Sequence, residues 1–239
     1  MPGSVREKWN YKIERTMDGV FRLHRFADVS PSIFVACPFC KKRDMGGSKN
    51  AETKIRRKPI MTTGPKRSFI PCRIAILTLS DTRKMSQDKS GELLKNRVEK
   101  AGHILVNRMI LRDDIRVISN QLKTWINDKD IDVIISTGGT GLTGRDVAVE
   151  AHREVYDKEI DAFSVMFTYI SMKKIGTSAV QSRATAGVAQ GTYLFALPGS
   201  PSACADAWDE ILNKQLDYRH MPCNFIEILP RLDEHLQRK

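Results

Sequence analysis

The stretch ISTGGTGLTGRD, residues 135–146, decides how the rest of the chain is interpreted. An apolar run leads into it, and glycines and threonines then follow up to a single carboxylate, Asp146. Gly138, Gly139 and Gly141 carry no side chains, so their backbone N–H groups can approach an anion closely. A helix that begins near Asp146 would add the positive end of its dipole. The pattern therefore favours a phosphate or pyrophosphate site, because a plain strand-to-helix turn needs only one or two glycines.

Two better-known phosphate loops are excluded by the same residues. A P-loop ends in Gly-Lys-Ser/Thr, and residues 135–146 contain no lysine. GTGLTG, residues 139–144, matches the glycine spacing of a dinucleotide-binding fingerprint. That fingerprint follows the first strand of its fold, whereas this loop follows the third predicted strand and lacks the expected ribose-binding acid.

The sequence that leads to the loop alternates strands with helices. RIAILTL is a continuous apolar run, typical of a strand buried on both faces. The predicted elements are a strand at 73–79, a helix at 90–102 that Ser90 caps and Gly102 ends, a strand at 103–111, a helix at 114–128 and a strand at 132–136.

These repeated βα units predict the fold class: α/β, with a doubly wound, mostly parallel sheet and helices on both faces. In such sheets ligands bind beyond the carboxyl ends of the strands. SDTR at residues 80–83, the glycine loop and PGSP at residues 198–201 each follow an apolar run. We therefore expect three polar loops to meet at one rim.

Two acidic positions at this rim have competing interpretations. Asp146 is negative and does not bind phosphate directly, so it either caps the following helix or holds Mg²⁺ that bridges to phosphate. Asp113 and Asp114 follow the second predicted strand and offer a further carboxylate at the same rim. Either of them can instead cap the helix that begins at Ile115.

Charge and composition exclude several classes of function. Residues 1–70 hold 16 of the 39 Lys and Arg residues but only 6 of the 28 Asp and Glu residues, so +10 of the net charge of +11 lies at the front of the chain. A nucleic-acid footprint across the folded part is not indicated, although a basic arm could contact anions. No apolar run reaches 18 residues and no signal-peptide core is present, so we expect a cytoplasmic protein without membrane spans.

The first 67 residues are predicted to be a basic extension, mostly irregular and poorly ordered, with a short strand at residues 32–36. Cys37 and Cys40 form CPFC, which is half of a zinc site, but no second ligand pair follows. Two incidental thiols are therefore the simpler interpretation. The odd number of cysteines and the lack of a signal peptide also indicate a reducing compartment, in which disulfides are not expected.

The motifs together resemble the MoaB/Mog family of molybdenum cofactor biosynthesis, and the MoaB branch in particular. The resemblance covers about residues 68–229, within a domain predicted at residues 68–232 that precedes a short tail at 233–239. It is carried by LTLSDTR, STGGTGLTGRDV, IGTSAVQSRATAGV, LPGSPSACADAWDEIL and QLDYRHMPCNF.

That resemblance implies a doubly wound domain that assembles as a homotrimer or homohexamer. It also implies molybdopterin and ATP as substrates, Mg²⁺ as cofactor, and adenylate transfer to the terminal phosphate of molybdopterin. The product would then pass to the metal-inserting molybdenum cofactor protein.

Carried over to this sequence, the resemblance assigns roles to individual residues. Asp113 and Asp146 would be the catalytic, Mg²⁺-holding pair. The substrate-binding residues would be Ser80, Asp81, Thr137, Gly138, Gly139, Thr140, Gly141, Pro198, Gly199 and Ser200.

Departures from the family pattern leave an alternative open. DAFSV at residues 161–165 replaces a PGFGE-like stretch, and Val149 stands where the family has proline. The chain could therefore be a non-catalytic pterin- or nucleotide-binding oligomer.

The N-terminal extension has two interpretations. Because the charge and the apolar periodicity of the sequence change abruptly after Met61, we expect Met61 to be the natural start of the protein. A mitochondrial transit peptide is the second interpretation of the extension, but its acidic residues count against that.

Overall fold

The computed structural model describes residues 9–15, 21–27 and 67–234, and the chain divides into two units, Met1–Met61 and Thr62–Lys239. In the first unit, β1 (Trp9–Arg15) and β2 (Phe21–Ala27) pair antiparallel. Two strands therefore lie within a segment predicted to be mostly irregular, and WNYKIER shows the apolar–polar alternation of a strand. The predicted strand at 32–36 and the CPFC cysteines lie outside the described residues.

The second unit alternates strands and helices much as the sequence predicts. The described elements are β3 (Arg73–Leu79), α1 (Lys89–Lys100), β4 (Ile104–Leu111), α2 (Ile115–Ile126), β5 (Val133–Thr137), α3 (Ala148–Arg153), β6 (Lys158–Glu159), α4 (Asp161–Ile175), β7 (Thr185–Ala189), β8 (Thr192–Leu197), α5 (Pro201–Ala207), a π-helix (Trp208–Leu212), α6 (Asn213–Gln215) and α7 (Phe225–Ile228).

One sheet organises these elements in the order β4-β3-β5-β8-β7-β6. The β4, β3, β5 and β8 strands are mutually parallel, while β7 and β6 run antiparallel to their neighbours. The predicted mostly parallel sheet is confirmed. Parallel neighbours end at the same edge, so the loops after β3, β4, β5 and β8 lie side by side.

Both faces of the sheet are covered, which explains the continuous apolar run of β3. Ile74 and Ile76 face a cluster that includes Leu94 of α1, whereas Leu77 faces a second cluster with Leu122 of α2. All five side chains are fully buried, and each contributes about 2 kcal/mol of hydrophobic stabilisation. The two clusters confirm a doubly wound arrangement.

Two local predictions are corrected by the structure. The N-cap of α1 is Asp88, whose Oδ1 accepts from Gly91 N at 2.9 Å, because Ser90 points away into the protein. The sequence predicts a solvated His152 on the exposed side of a helix, but the side chain is fully buried on α3, and its ring Nδ1 lies 2.8 Å from the carbonyl oxygen of Ala148. A six-residue helix does not reveal which of its sides other elements will cover. Within the described ranges, no helix is long and apolar enough to cross a membrane.

Candidate functional site at the strand rim

The predicted convergence of loops is found as a cleft of about 390 Å³. Its walls come from the loops after β3, β4, β5 and β8 and from the segment 181–183 that precedes β7. The last segment reaches this rim because β7 is antiparallel to β8, with Thr185 opposite Ala196. The cleft therefore lies where the carboxyl ends of β3, β4, β5 and β8 meet the amino end of β7.

The first two glycines of the loop are required by backbone shape. Gly138 has φ of +105° and Gly139 has φ of +62°, conformations that residues with a Cβ rarely adopt. A Cβ on Gly138 would lie 2.4 Å from the carbonyl oxygen of Leu79. The N–H of Gly138 donates to the carbonyl oxygen of Leu197 at 3.0 Å, so this amide continues the sheet rather than pointing at a ligand. Gly139 and Gly141 line the cleft beyond it.

The structure separates the two acids that follow β4. Asp114 caps α2, because its Oδ1 accepts from Val117 N at 3.0 Å. Asp113 instead lines the cleft, and its Oδ1 is buried without a hydrogen-bond partner among the described residues. Burial, followed by the charges of Asp81 and Asp146, raises the pKa of Asp113 above its ordinary value. A cation beside this carboxylate would offset both effects.

Asp146 does not cap α3, whose N-cap is Val147 and lacks a side-chain hydrogen bond. Its Oδ2 accepts from Thr143 Oγ1 at 2.6 Å and from Thr143 N at 2.9 Å. The hydrogen bond from the Thr143 hydroxyl, assisted by the backbone N–H groups of Thr143 and Gly141, lowers the pKa of Asp146. Asp146 is therefore a fixed, ionised carboxylate in the wall of the cleft.

The loop after β3 lines the cleft and is also connected to the acid after β4. Ser80 lines the cleft, and its Oγ accepts from the backbone N–H of Arg83 at 3.2 Å. Asp81 accepts from the backbone N–H of Asp113 at 3.2 Å and forms an ion pair with Arg145. Asp81 thus connects the first polar loop to the acid after β4.

The loop after β8 is held from behind by buried polar groups. Thr137 does not line the cleft: its Oγ1 donates to the carbonyl oxygen of Pro198 at 3.0 Å from a buried position. Ser90 Oγ donates to the carbonyl oxygen of Gly199 at 2.8 Å. Ser200 caps α5 with Pro201 in its first turn, and the order of these two residues in PGSP predicts such a helix start.

Several loop carbonyl oxygens around the cleft already have hydrogen-bond donors within the protein. The carbonyls of Pro198 and Gly199 accept from Thr137 and Ser90, and the carbonyl of Thr140 accepts from Arg183 Nε at 2.9 Å. A carbonyl oxygen facing an anion would repel it. Oxygens that accept hydrogen bonds from the protein repel an anion less, so the rim suits phosphate groups.

Sequence reasoning missed four side chains of the cleft: Arg83, Gln181, Ser182 and Arg183. Three of them lie in IGTSAVQSRATAGV, a motif that carried the family resemblance but received no functional role. Their position depends on the antiparallel direction of β7, which no local pattern indicates.

The donor set at the rim fits a hard divalent cation such as Mg²⁺. Asp113 and Asp146 supply carboxylate oxygens, and one of them, Oδ1 of Asp113, is buried without a partner in the described structure. Within the described ranges, no cluster of three or more His, Cys, Asp or Glu side chains could hold a metal ion. Mg²⁺ commonly takes one or two carboxylates and completes its shell with water and substrate phosphates, so a two-carboxylate site is sufficient.

Comparison with known proteins finds consistent relatives. A sequence profile described as "Probable molybdopterin binding domain" matches residues 60–218. Molybdenum cofactor biosynthesis protein B of Escherichia coli K12 is 46% identical over 157 residues, which are 66% of this chain and 92% of that protein.

Solved structures give the same picture. A crystal structure of molybdenum cofactor biosynthesis protein B aligns with a TM-score of 0.61 and 33% identity, covering 72% of this chain and all of the other. The tungsten cofactor synthesizing protein MoaB from Pyrococcus furiosus aligns with a TM-score of 0.57 and 29% identity, covering 68% of this chain and 98% of the other.

Proposed function

Since this chain belongs to the MoaB/Mog family of molybdenum cofactor biosynthesis proteins, we propose that it binds molybdopterin in the rim cleft and adenylylates its terminal phosphate with ATP. The observation that carries this proposal is the pairing of Asp113 and Asp146 in one cleft with a glycine loop. Two carboxylates beside phosphate-binding backbone suit a reaction between two phosphate groups.

The reaction needs no nucleophile from the protein. An oxygen of the molybdopterin phosphate attacks the α-phosphorus of ATP and forms a new P–O bond. The bond from that phosphorus to the oxygen bridging to the β-phosphate breaks, and pyrophosphate leaves with the electron pair. The protein aligns the two phosphates and offsets their charge, for which Arg83 and Arg183 lie in the cleft wall.

Asp113 and Asp146 would hold Mg²⁺, which neutralises phosphate charge when bound. The protein prepares these ligands differently. Asp146 is fixed by its hydrogen bonds to Thr143, whereas Asp113 is held through its backbone N–H, which donates to Asp81. The unpartnered Oδ1 of Asp113 is the oxygen that gains most from a cation.

A homo-oligomeric state, a trimer or hexamer, is part of the proposal, as is delivery of the product to a metal-inserting protein. The support for association is α4, which exposes large apolar side chains along its length. Val165 is 70% exposed, and Met166, Tyr169 and Met172 are each more than half exposed. Exposed apolar patches of this kind are typical of protein–protein contacts.

Pyrophosphate release from ATP in the presence of molybdopterin and Mg²⁺ tests the proposal directly. Asp146→Asn should lower kcat/KM about a hundredfold, roughly 3 kcal/mol of barrier. Asp130→Asn is the matched control, because Asp130 is an exposed acid paired with Arg73 at the amino end of β3. Tight molybdopterin binding without turnover would identify the non-catalytic binding module instead, and absence of binding would refute both.

A further inference from the structure

Arg183 connects three parts of the site through one guanidinium group. Its Nε donates to the carbonyl oxygen of Thr140 at 2.9 Å, and Nη2 lies 3.5 Å from the carbonyl oxygen of Asp146. Its terminal nitrogens also form a bidentate pair with Glu150 of α3, at 2.6 and 3.2 Å. The side chain thus contacts the glycine loop, the residue that closes it and the helix that follows.

The contact with Thr140 has a consequence on the other side of the peptide bond. In a trans peptide the C=O group and the following N–H group point in opposite directions. A Thr140 carbonyl held by Arg183 therefore fixes the N–H of Gly141 away from Arg183. The backbone of Gly141 lies against the carboxylate of Asp146, because a Cβ on Gly141 would lie 2.7 Å from Asp146 Oδ2, and its N–H contributes to lowering the pKa of Asp146.

We infer that Arg183 is a positioning residue that sets the orientation of the Asp146 carboxylate through the Thr140–Gly141 peptide. This inference rests on the proposed role of Asp146 as a ligand of the divalent cation. Glu150 holds the guanidinium by a bidentate pair, a geometry that restricts both partners. Arg183 need not touch substrate to have this effect.

Electrostatics and positioning predict opposite results for the loss of Arg183. Removing a positive charge near Asp146 should, by charge alone, strengthen the binding of a divalent cation. Releasing the Thr140–Gly141 peptide should weaken it, because groups that orient a metal ligand typically change affinity 10–100-fold. The direction of the change therefore distinguishes the two explanations.

Arg97 provides a matched control for this experiment. It forms a bidentate pair with Asp209, and its side chain is 29% exposed, the same value as for Arg183. Arg97 lies on α1 and Asp209 in the π-helix, and neither lines the cleft. Losing either arginine removes an equivalent ion pair, but only one of the pairs contacts the glycine loop.

The measurement is Mn²⁺ binding to the full chain, followed by electron paramagnetic resonance without ATP or pyrophosphate. Arg183→Met should weaken Mn²⁺ binding about tenfold, in the direction of Asp146→Asn. Arg183→Lys, which keeps the charge but not the forked geometry, should also weaken it. Arg97→Met should bind Mn²⁺ as the wild type does, and urea unfolding should show similar stability for the two methionine variants.

The inference is overturned if Arg183→Met binds Mn²⁺ as tightly as the wild type or more tightly. It is also overturned if Arg97→Met weakens binding equally, or if Asp146→Asn retains wild-type affinity. The proposed adenylate transfer is judged separately by pyrophosphate release. A wild type that binds Mn²⁺ in an Arg183-dependent manner but releases no pyrophosphate would refute the transfer and leave the positioning role in place.

Discussion

Replacing Gly139 by alanine perturbs the site at the point where the glycine loop meets the acid after β4. The new Cβ would lie 2.4 Å from Oδ1 of Asp113. Ordinary contacts with a Cβ begin near 3.4 Å, so the carboxylate or the loop has to move by about 1 Å. A displacement of that size in a catalytic group typically lowers the rate about a hundredfold.

The expected effect on stability is much smaller. Gly139 has φ of +62°, and an alanine in this left-handed conformation costs about 1–2 kcal/mol. The carboxylate of Asp113 belongs to a side chain and can turn away without unfolding the sheet. Gly139→Ala should therefore fold, with a free energy of unfolding in urea that is lower by about that amount.

The assay compares kcat/KM for pyrophosphate release in Gly139→Ala and Gly144→Ala. Gly144 is the control because no atom lies within 4 Å of its would-be Cβ and its φ is outside the left-handed region. Gly139→Ala should be about a hundred times slower than the wild type, and Gly144→Ala should be unchanged. Equal activities of the two variants would refute the argument that Asp113 must occupy the space beside Gly139.

Three further predictions concern other parts of the domain. Ser90→Ala leaves the partly buried carbonyl of Gly199 without its donor, so urea unfolding should show a loss of about 1 kcal/mol. Burial lowers the pKa of His152 from 6.5 to about 4, so between these pH values the imidazole is protonated in the unfolded chain but not in the folded one. The free energy of unfolding should therefore fall by about 3 kcal/mol as the pH drops from 6.5 to 4, and its pH dependence should be weaker in His152→Leu. Val165→Glu should convert an oligomer to single chains in light scattering, and an unchanged mass would exclude the exposed side of α4 as the contact.

Some of the site could be predicted because the signal is local. The neighbouring glycines Gly138 and Gly139 reflect positive φ angles that glycine adopts more readily than other residues. The helix cap formed by Ser200 and Pro201 could also be predicted from the sequence, because capping depends on neighbours within four residues. Position after a strand then placed the loops at one rim.

Other assignments failed or stayed open because the deciding partner is distant in the chain. Ser90 looks like a helix cap, but its hydroxyl donates to Gly199, 109 residues away. Thr137 looks like part of the glycine loop, yet it is turned inward toward Pro198. The choice between Asp113 and Asp114 involves a distant partner as well, because the backbone N–H of Asp113 donates to Asp81, 32 residues away.

By itself the sequence determined a doubly wound, mostly parallel sheet and a glycine loop at its rim, because apolar runs, caps and glycine conformations act over a few residues. Only the tertiary structure decided which acid faces the cleft, why Ser90 supports a remote loop and how Arg183 reaches Thr140. Those outcomes depend on strand order and on the antiparallel direction of β7, which bring together groups separated by tens of residues. The hydrogen bonds between such groups form only once the sheet has set their distance and direction.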